Sequence, residues 1–219
     1  MEKRIVSMAI ALVWLLTASA QVSSLQGKRM GVIGDSYVKN HREPVENTWH
    51  YKFARQNGME YYNYGRNGNC VSIDRARWGE AMWKRYTTMR DSLDIIVIIA
   101  GHNDAALLDS MGIDVYKEKC EVLCRGLIER YPKASLFWFT PWSHDDPHFL
   151  EVVDATKEVC GSLGIPVFDA YRNSNIYARI DSFRDIYFQG GRRDHAHLNG
   201  RGHDRFLPIA AHFIQSYFK

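Results

Sequence analysis

The chain has 219 residues, 46% of them apolar, enough for one domain with a sizeable core or at most two small ones, and no stretch reads as a linker. Its 28 basic and 25 acidic side chains leave a formal charge of +3, which gives no electrostatic case for nucleic acid and no basic run to favour a membrane surface. The partner this leaves is a small or uncharged substrate.

Residues 1–20 have the pattern of a secretory signal peptide: a basic start at Lys3 and Arg4, an apolar run from Ile5 to Leu16, and the small residues Ala18-Ser19-Ala20. The expected mature chain begins near Gln21 and is exported, to the periplasm or outside the cell. The apolar run is shorter than the roughly 20 residues a spanning helix needs, so no stable membrane insertion is expected after cleavage. No cysteine follows the cleavage site to carry a lipid anchor. No asparagine lies in an Asn-x-Ser/Thr sequon, which leans toward a bacterial source. Residues 21–219 are read as a single domain.

Met30 to Gly34 forms a short apolar strand that runs into a glycine turn and then the lone hydroxyl of Ser36. A strand ending there places Ser36 at the carboxyl edge of a sheet, where a helix start aims backbone N–H groups at whatever the hydroxyl meets. Thr48 to Gln56 follows as a helix stopped by Asn57-Gly58, and Glu60 to Tyr64 as an aromatic strand. Trp78, Met82, Tyr86 and Met89 share one helical face, so the spacing predicts a helix over 76–90. The unbroken run Ile95 to Ala100 is the clearest strand; it implies burial on both faces and a central place in a parallel sheet. Cys120, Leu123, Cys124, Leu127, Ile128 and Tyr131 mark a helix ended by Pro132, and Leu136 to Thr140 the next strand. Asp146 reads as an N-cap with Pro147 at the first helical position, before a stripe from Phe149 to Leu163. Val167-Phe168 is a last short strand. Residues 171–193 read as loop with one short helix, and a terminal helix starts at Asn199, kinked or delayed by Pro208. Five alternations of strand and helix predict a three-layer α/β/α, doubly wound domain around a five-stranded parallel sheet.

Of the four cysteines, Cys120 and Cys124 lie one helical turn apart, where direct bridging has poor geometry. One of them could reach Cys160; equally, all of them, Cys70 included, could be small buried hydrophobes left reduced. Their spacing matches no zinc pattern.

Four blocks stand out in order: Gly34-Asp35-Ser36, Asn63-Tyr64-Gly65-Arg66-Asn67-Gly68, Gly101-His102-Asn103-Asp104 and Asp194-His195-Ala196-His197. Together they resemble the SGNH (GDSL-type) hydrolase family over nearly all of the chain after residue 27. The resemblance implies a flavodoxin-like strand order 2-1-3-4-5, which sets the loops of Gly65 and Asn103 on either side of Ser36. A serine hydroxyl is a poor nucleophile unless a base lies within hydrogen-bond reach and that base is itself oriented. His197 fits the base and Asp194 its orienting partner, as in the family's Asp-x-x-His block. For the oxyanion of a tetrahedral intermediate the resemblance supplies the backbone N–H groups of Ser36 and Gly65 and the side-chain amide of Asn103. Asp35 and Asp104 are assigned to turns. His195, His197 and His203 would also suit a metal; the reading adopted has no metal and no cofactor, with His195 a bystander.

The second block has Asn67 where a serine is common, and Leu198 follows His197 where proline often stands. Neither touches an expected catalytic atom; both leave the subfamily open. The Gly-His-Asn-Asp wording resembles carbohydrate O-acetyl esterases within the family, with Tyr37, Trp49, Trp142 and His144 as candidate sugar-stacking surfaces. The expected function is a serine esterase acting on a small-molecule or glycan ester. Lysophospholipase, acyl-thioesterase, acyltransferase and a non-catalytic carbohydrate-binding module are the alternatives.

Overall fold

A computed structural model describes residues 24–218; the expected signal peptide and the mature start near Gln21 lie outside them. Strands β1 (Arg29–Gly34), β2 (Glu60–Gly65), β3 (Ile95–Ile99), β4 (Ser135–Phe139) and β5 (Val167–Phe168) form one parallel sheet in the order β2-β1-β3-β4-β5. That is the expected doubly wound order. Its helices among the described residues are α1 (Ser36–Lys39), α2 (Trp49–Gln56), α3 (Met82–Arg85), α4 (His102–Ala105), α5 (Leu108–Met111), α6 (Ile113–Arg130), α7 (His148–Ser162), α8 (Ala170–Asn173), α9 (Asp181–Tyr187) and α10 (Gly200–Gln215). Among the described residues no helix is long and apolar enough to cross a membrane.

The β-branched run of β3 is buried throughout because both faces of the sheet are covered. Ile95, Val97 and Ile99 join one core with Trp49 and Phe53 of α2 and Phe206, Ala210 and Ile214 of α10. Ile96 and Ile98 join the other with Met82 of α3, Leu123 and Leu127 of α6 and Phe149 and Val152 of α7. Each of the larger side chains among them contributes roughly 1.5–3 kcal/mol on burial. Cys120, Cys124 and Cys160 pack in the second core as free thiols, Cys124 and Cys160 with sulfurs 4.0 Å apart; Cys70 is likewise buried and free.

Four local expectations change. The helix over 76–90 shrinks to α3 and a 3-10 turn at Tyr86–Thr88. Gly79 sits at φ 80°, Arg75 bridges to it, and the Asp74 carboxylate caps Ala81, so a looped 70–81 segment replaces the first turns. Trp78 leaves the expected helical face and packs on Gly68. Segment 171–193 carries more helix than one short piece, in the end of α8, α9 and a 3-10 turn at Gly191–Arg193. The terminal helix runs on through Pro208, which lies exposed, so the carbonyl it leaves unbonded meets water. The helix expected after an Asp146 cap starts one residue later, with Pro147 in the cap position; Asp146, the residue before it, accepts from His148 N at 2.9 Å through Oδ1.

Two buried charged side chains organise the carboxyl end of the sheet. Arg85 is 6% exposed; its guanidinium donates to Gly34 O, Tyr64 O and Asn69 Oδ1, each at 2.7 Å, tying the ends of β1 and β2 to the loop that follows. Burial lowers its pKa to about 10, so it is still charged near neutrality. Asp35 is fully buried at the start of α1 and accepts from Tyr37 N at 2.8 Å. Burial pushes its carboxyl up to about 7 against the hydrogen bonds from Tyr37 and Asn103.

Removing the Arg85 head group takes away the bonds to Tyr64 O and Asn69 Oδ1 and leaves Gly34 O with only the Arg66 N–H at 3.1 Å, and each acceptor left unpaired costs about 1–3 kcal/mol. Arg85→Met is expected to lose about 3 kcal/mol or more in denaturant unfolding, and Arg85→Lys to recover only part, because one ammonium cannot reproduce the planar fork. For Asp35, the folded state binds the proton more tightly than the unfolded chain. Its contribution is therefore complete below the unfolded value of about 4 and fades as pH rises through about 7. Buried His50, His102 and His203, all lowered by burial, act the opposite way, losing stability as pH falls through their unfolded range. The Asp35→Asn difference isolates the first effect: in melting curves the variant is expected to gain on wild type between pH 5 and pH 8, and a constant difference would refute the assignment.

Candidate active site

Gly34 ends β1 pressed between neighbours: a Cβ there would fall 2.2 Å from Ile99 O and 2.5 Å from Val38 Cγ2. Only glycine lets β1 close against β3 while the chain turns at once into α1, whose first residue is Ser36. The residues expected from the sequence then converge. Ser36 Oγ lies 2.9 Å from His197 Nε2, and His197 Nδ1 lies 3.1 and 3.2 Å from the two carboxylate oxygens of Asp194. Asp194 Oδ1 also accepts from Ala196 N and His197 N, both at 2.9 Å, which shapes the loop that carries the histidine. Burial opposes ionisation of Asp194, but the hydrogen bond and charge of His197 and these two N–H groups outweigh it and hold the carboxyl well below the usual range. The loop is fastened again by Trp142 Nε1 donating to Ala196 O at 2.9 Å and Gln189 N donating to His197 O at 2.9 Å.

The three expected oxyanion donors lie around the same turn, though their hydrogens are not equally free. In α1 the N–H of Tyr37 goes to Asp35 Oδ1 and those of Val38 and Lys39 to Asp35 O, which leaves the N–H of Ser36 as the open one of the first turn. Gly65 N already donates to Asn63 Oδ1 at 2.8 Å. Asn103 Nδ2 donates to Asp35 Oδ2 at 3.2 Å and Asn69 O at 3.1 Å. Those two groups can serve an oxyanion only by sharing their hydrogens, and the long Asn103 bonds are the easier to share. A Cβ on Gly65 would come within 2.3 Å of Lys39 N, so glycine is required there for the close approach of β2 to α1. Asp104 holds a turn as expected: its carboxylate accepts from Val71 N, Ser72 N and Ser72 Oγ.

His195, His197 and His203 do not gather as a ligand set. His197 is committed to Ser36 and Asp194, His203 is buried with Nε2 3.2 Å from Asn40 Oδ1, and the His195 ring meets His144 edge-on. Among the described residues the grouping of metal-capable side chains is the thiol trio of Cys120, Cys124 and Cys160, away from this site in the second core. The candidate sugar platforms are also reassigned. Tyr37, Trp49 and Trp142 are 7%, 2% and 5% exposed, and Tyr37 stacks on Trp142 at 5.4 Å, so they offer no open face. His144 is stacked on Phe149 at 4.1 Å.

Sequence reasoning missed three neighbours. His41, at φ 47°, lays its ring parallel to that of His197 with centroids 4.0 Å apart. Tyr37 Oη is 3.1 Å from His102 Nδ1, and burial keeps His102 neutral by lowering it to about 3. Arg85 stood on a helix expected to be longer, with nothing local to mark it as buried. The histidine of the Gly-His-Asn-Asp block was the one available signal, for His102. Two spaces adjoin His197. Behind Ser36 is a void of about 10 Å³ lined by Tyr37, Trp49, Ile99, Trp142 and His203 among others. On the other side lies a cleft of about 400 Å³ whose walls include His41, Arg42, Gln189, Arg193 and His195.

Known structures share this architecture. A protein from Lactobacillus plantarum superposes with a TM-score of 0.72 at 20% identity, covering 88% of this chain and 96% of that one. A carbohydrate acetylesterase from Sinorhizobium meliloti gives 0.64 at 15% identity, and an aryl esterase from M. smegmatis 0.64 at 17%, each covering 87% of this chain and 99% of its own. At these identities the likeness is one of fold. Among curated protein sequences none matches. The model of the GDSL-like lipase/acylhydrolase family matches residues 32–205, from within β1 into α10. A match of that extent means that the chain belongs to the GDSL-like lipase/acylhydrolase family and is a hydrolase of ester bonds.

Proposed function

We propose that the enzyme is a serine esterase that removes short acyl groups, acetyl foremost, from a carbohydrate, with Ser36 as nucleophile, His197 as general base and Asp194 as its orienting partner. The observation that carries the reading is the unbroken chain Ser36 Oγ, His197 Nε2, His197 Nδ1, Asp194, with 2.9 Å at its first step. In that chain Asp194 selects the tautomer with the proton on Nδ1, leaving Nε2 to take the Ser36 proton as Oγ attacks the ester carbonyl. The oxyanion meets the Ser36 N–H first, with Gly65 N–H and Asn103 Nδ2 sharing their hydrogens with it. Collapse of the intermediate expels the alcohol, to which His197 Nε2 returns the proton. Water then repeats the cycle on the acyl-enzyme and frees Ser36.

The void behind Ser36, about 10 Å³, leaves no room for a long alkyl chain on that side. The larger cleft beside His197 is lined by polar and charged side chains, which suits a hydroxyl-rich alcohol better than a lipid tail. The carbohydrate acetylesterase of Sinorhizobium meliloti has the same fold and lends the reading analogy. Export follows from the basic, apolar and small-residue pattern of residues 1–20, and the domain proper is 21–219.

Purified 21–219 is expected to cleave p-nitrophenyl acetate faster than the butyrate, octanoate or decanoate esters. Ser36→Ala and His197→Ala should each lower kcat/KM by about 10³-fold or more with the melting curve retained. Faster turnover of the long-chain esters would point instead to a lysophospholipase or thioesterase, and full activity in Ser36→Ala would remove the nucleophile. For export, the intact mass of protein recovered outside the cytoplasm should correspond to a start near Gln21; a mass that includes Met1 would overturn the signal peptide.

A further inference from the structure

The overall charge of the chain is close to balance, but the surroundings of His197 are not. The cleft of about 400 Å³ beside it is lined by Arg42, Arg193, His41 and His195, and the one carboxylate on its wall, Asp194, is already bound to His197. Several other arginines are tied down by carboxylates, Arg29 by Asp94, Arg130 by Asp91, Arg172 by Asp154 and Asp169, and Arg192, next to Arg193, by Asp185, whereas Arg55, Arg66 and Arg201 have no such partner among the described residues; what sets Arg42 and Arg193 apart is that they share the wall of the cleft beside His197. Among the described residues the guanidiniums of Arg42 and Arg193 make no hydrogen bond or ion pair, and both residues are exposed. Their nearest sequence acids are engaged elsewhere, Glu43 accepting from Asn47 Nδ2 at 3.1 Å and Asp194 as above. Arg42 is held at the rim through its backbone, whose N–H donates to Gln189 Oε1, while Gln189 Nε2 is anchored on Asn40 and Leu198 O.

A second cleft, of about 420 Å³, lies beyond Asn67, the residue whose amide donates to His41 O at 3.5 Å, and is lined by Arg66, Arg77 and Trp78. Arg66 follows Gly65 directly, so this second cationic cleft adjoins the loop that carries Gly65. Which half of the substrate meets the first cleft follows from the chemistry. The proton for the departing alkoxide comes from His197 Nε2, so the alcohol half must lie on the His197 side, where Arg42 and Arg193 stand.

We infer that the alcohol half of the substrate carries a carboxylate, as in an O-acetylated glycan containing uronic acid, and that Arg42 and Arg193 form the subsite that receives it. The inference rests on the esterase reading above and narrows its substrate. Two planar guanidiniums free of internal partners match the planar carboxylate in paired, charge-assisted hydrogen bonds, a stronger interaction than either makes with the hydroxyls of a neutral sugar.

The test compares kcat/KM on acetylated oligogalacturonide with that on acetylated xylo-oligosaccharide, for wild type, Arg42→Ala, Arg193→Ala, the double variant and the double lysine variant. p-Nitrophenyl acetate and thermal unfolding are run alongside. Wild type is expected to prefer the acidic glycan by about tenfold or more in about 20 mM salt, less in about 300 mM. The double alanine variant should bring the ratio to within about twofold of unity, and the double lysine variant should keep part of it. Equal rates on the two glycans, or a preference untouched by the double alanine variant, would overturn the subsite while p-nitrophenyl acetate cleavage keeps the esterase reading standing. Wild type inert toward all three esters would bring down both.

Discussion

The contact that the rest of the site depends on is the close packing of Gly34 against β3 and α1. A bare Cα at that point lets the chain pass from a central strand into a helix within two residues, so the hydroxyl of Ser36 and the N–H beneath it are set by the sheet and not by a free loop. Arg85 reinforces the same corner from below, accepting the desolvation cost of a buried cation in exchange for three carbonyl partners at the ends of β1, β2 and the following loop. Asp104 pins the 71–72 segment from the β3 side. Three segments far apart in the chain therefore share one rigid platform, and only the His197 loop arrives from elsewhere.

That loop brings its own rigidity. Asp194 folds it over two backbone N–H groups, Trp142 and Gln189 hold it from either flank, and burial or neighbouring charge lowers the pKa of the histidines at 41, 102 and 144 around it. In the proposed mechanism a proton arriving on His197 during attack meets one carboxylate in contact with it, that of the half-buried Asp194. This is the preorganised electrostatics that acyl transfer asks for, since the compensating charge is in place before the reaction begins.

Much of this was legible in the sequence because the relevant signals are local or repeated. The run Ile95–Ile99 can only be a strand covered on both faces, and the alternation of such runs with helical stripes leads to the parallel sheet. Asp194 and His197 are close in sequence, so their pairing could be expected, and the serine block marks its own turn. What could not be read depends on long-range partners. Arg85 looks like any helix-surface arginine until β1 and β2 end beside it, and Trp49 and Trp142 look like open aromatics until Phe139 and Phe206 close over them. The 76–90 helix failed for a related reason: an apolar stripe at helical spacing is also what a looped segment shows when its turns are fixed by Gly79 and the Asp74 cap. That Gly65 and Asn103 already have acceptors was likewise invisible, because Asn63 and Asp35 come into reach only when the strands pair.

His41 carries an evolutionary consequence. It occupies a left-handed backbone position, where a histidine is tolerated and a glycine is at ease, yet its ring lies flat against that of His197. The fold gains nothing obvious from an imidazole there, while the neighbouring ring gains a wall that restricts its rotation. A library of variants screened for thermal endurance alone would therefore be expected to drift toward glycine at this position and shed the wall unnoticed, whereas selection on turnover would hold the histidine in place.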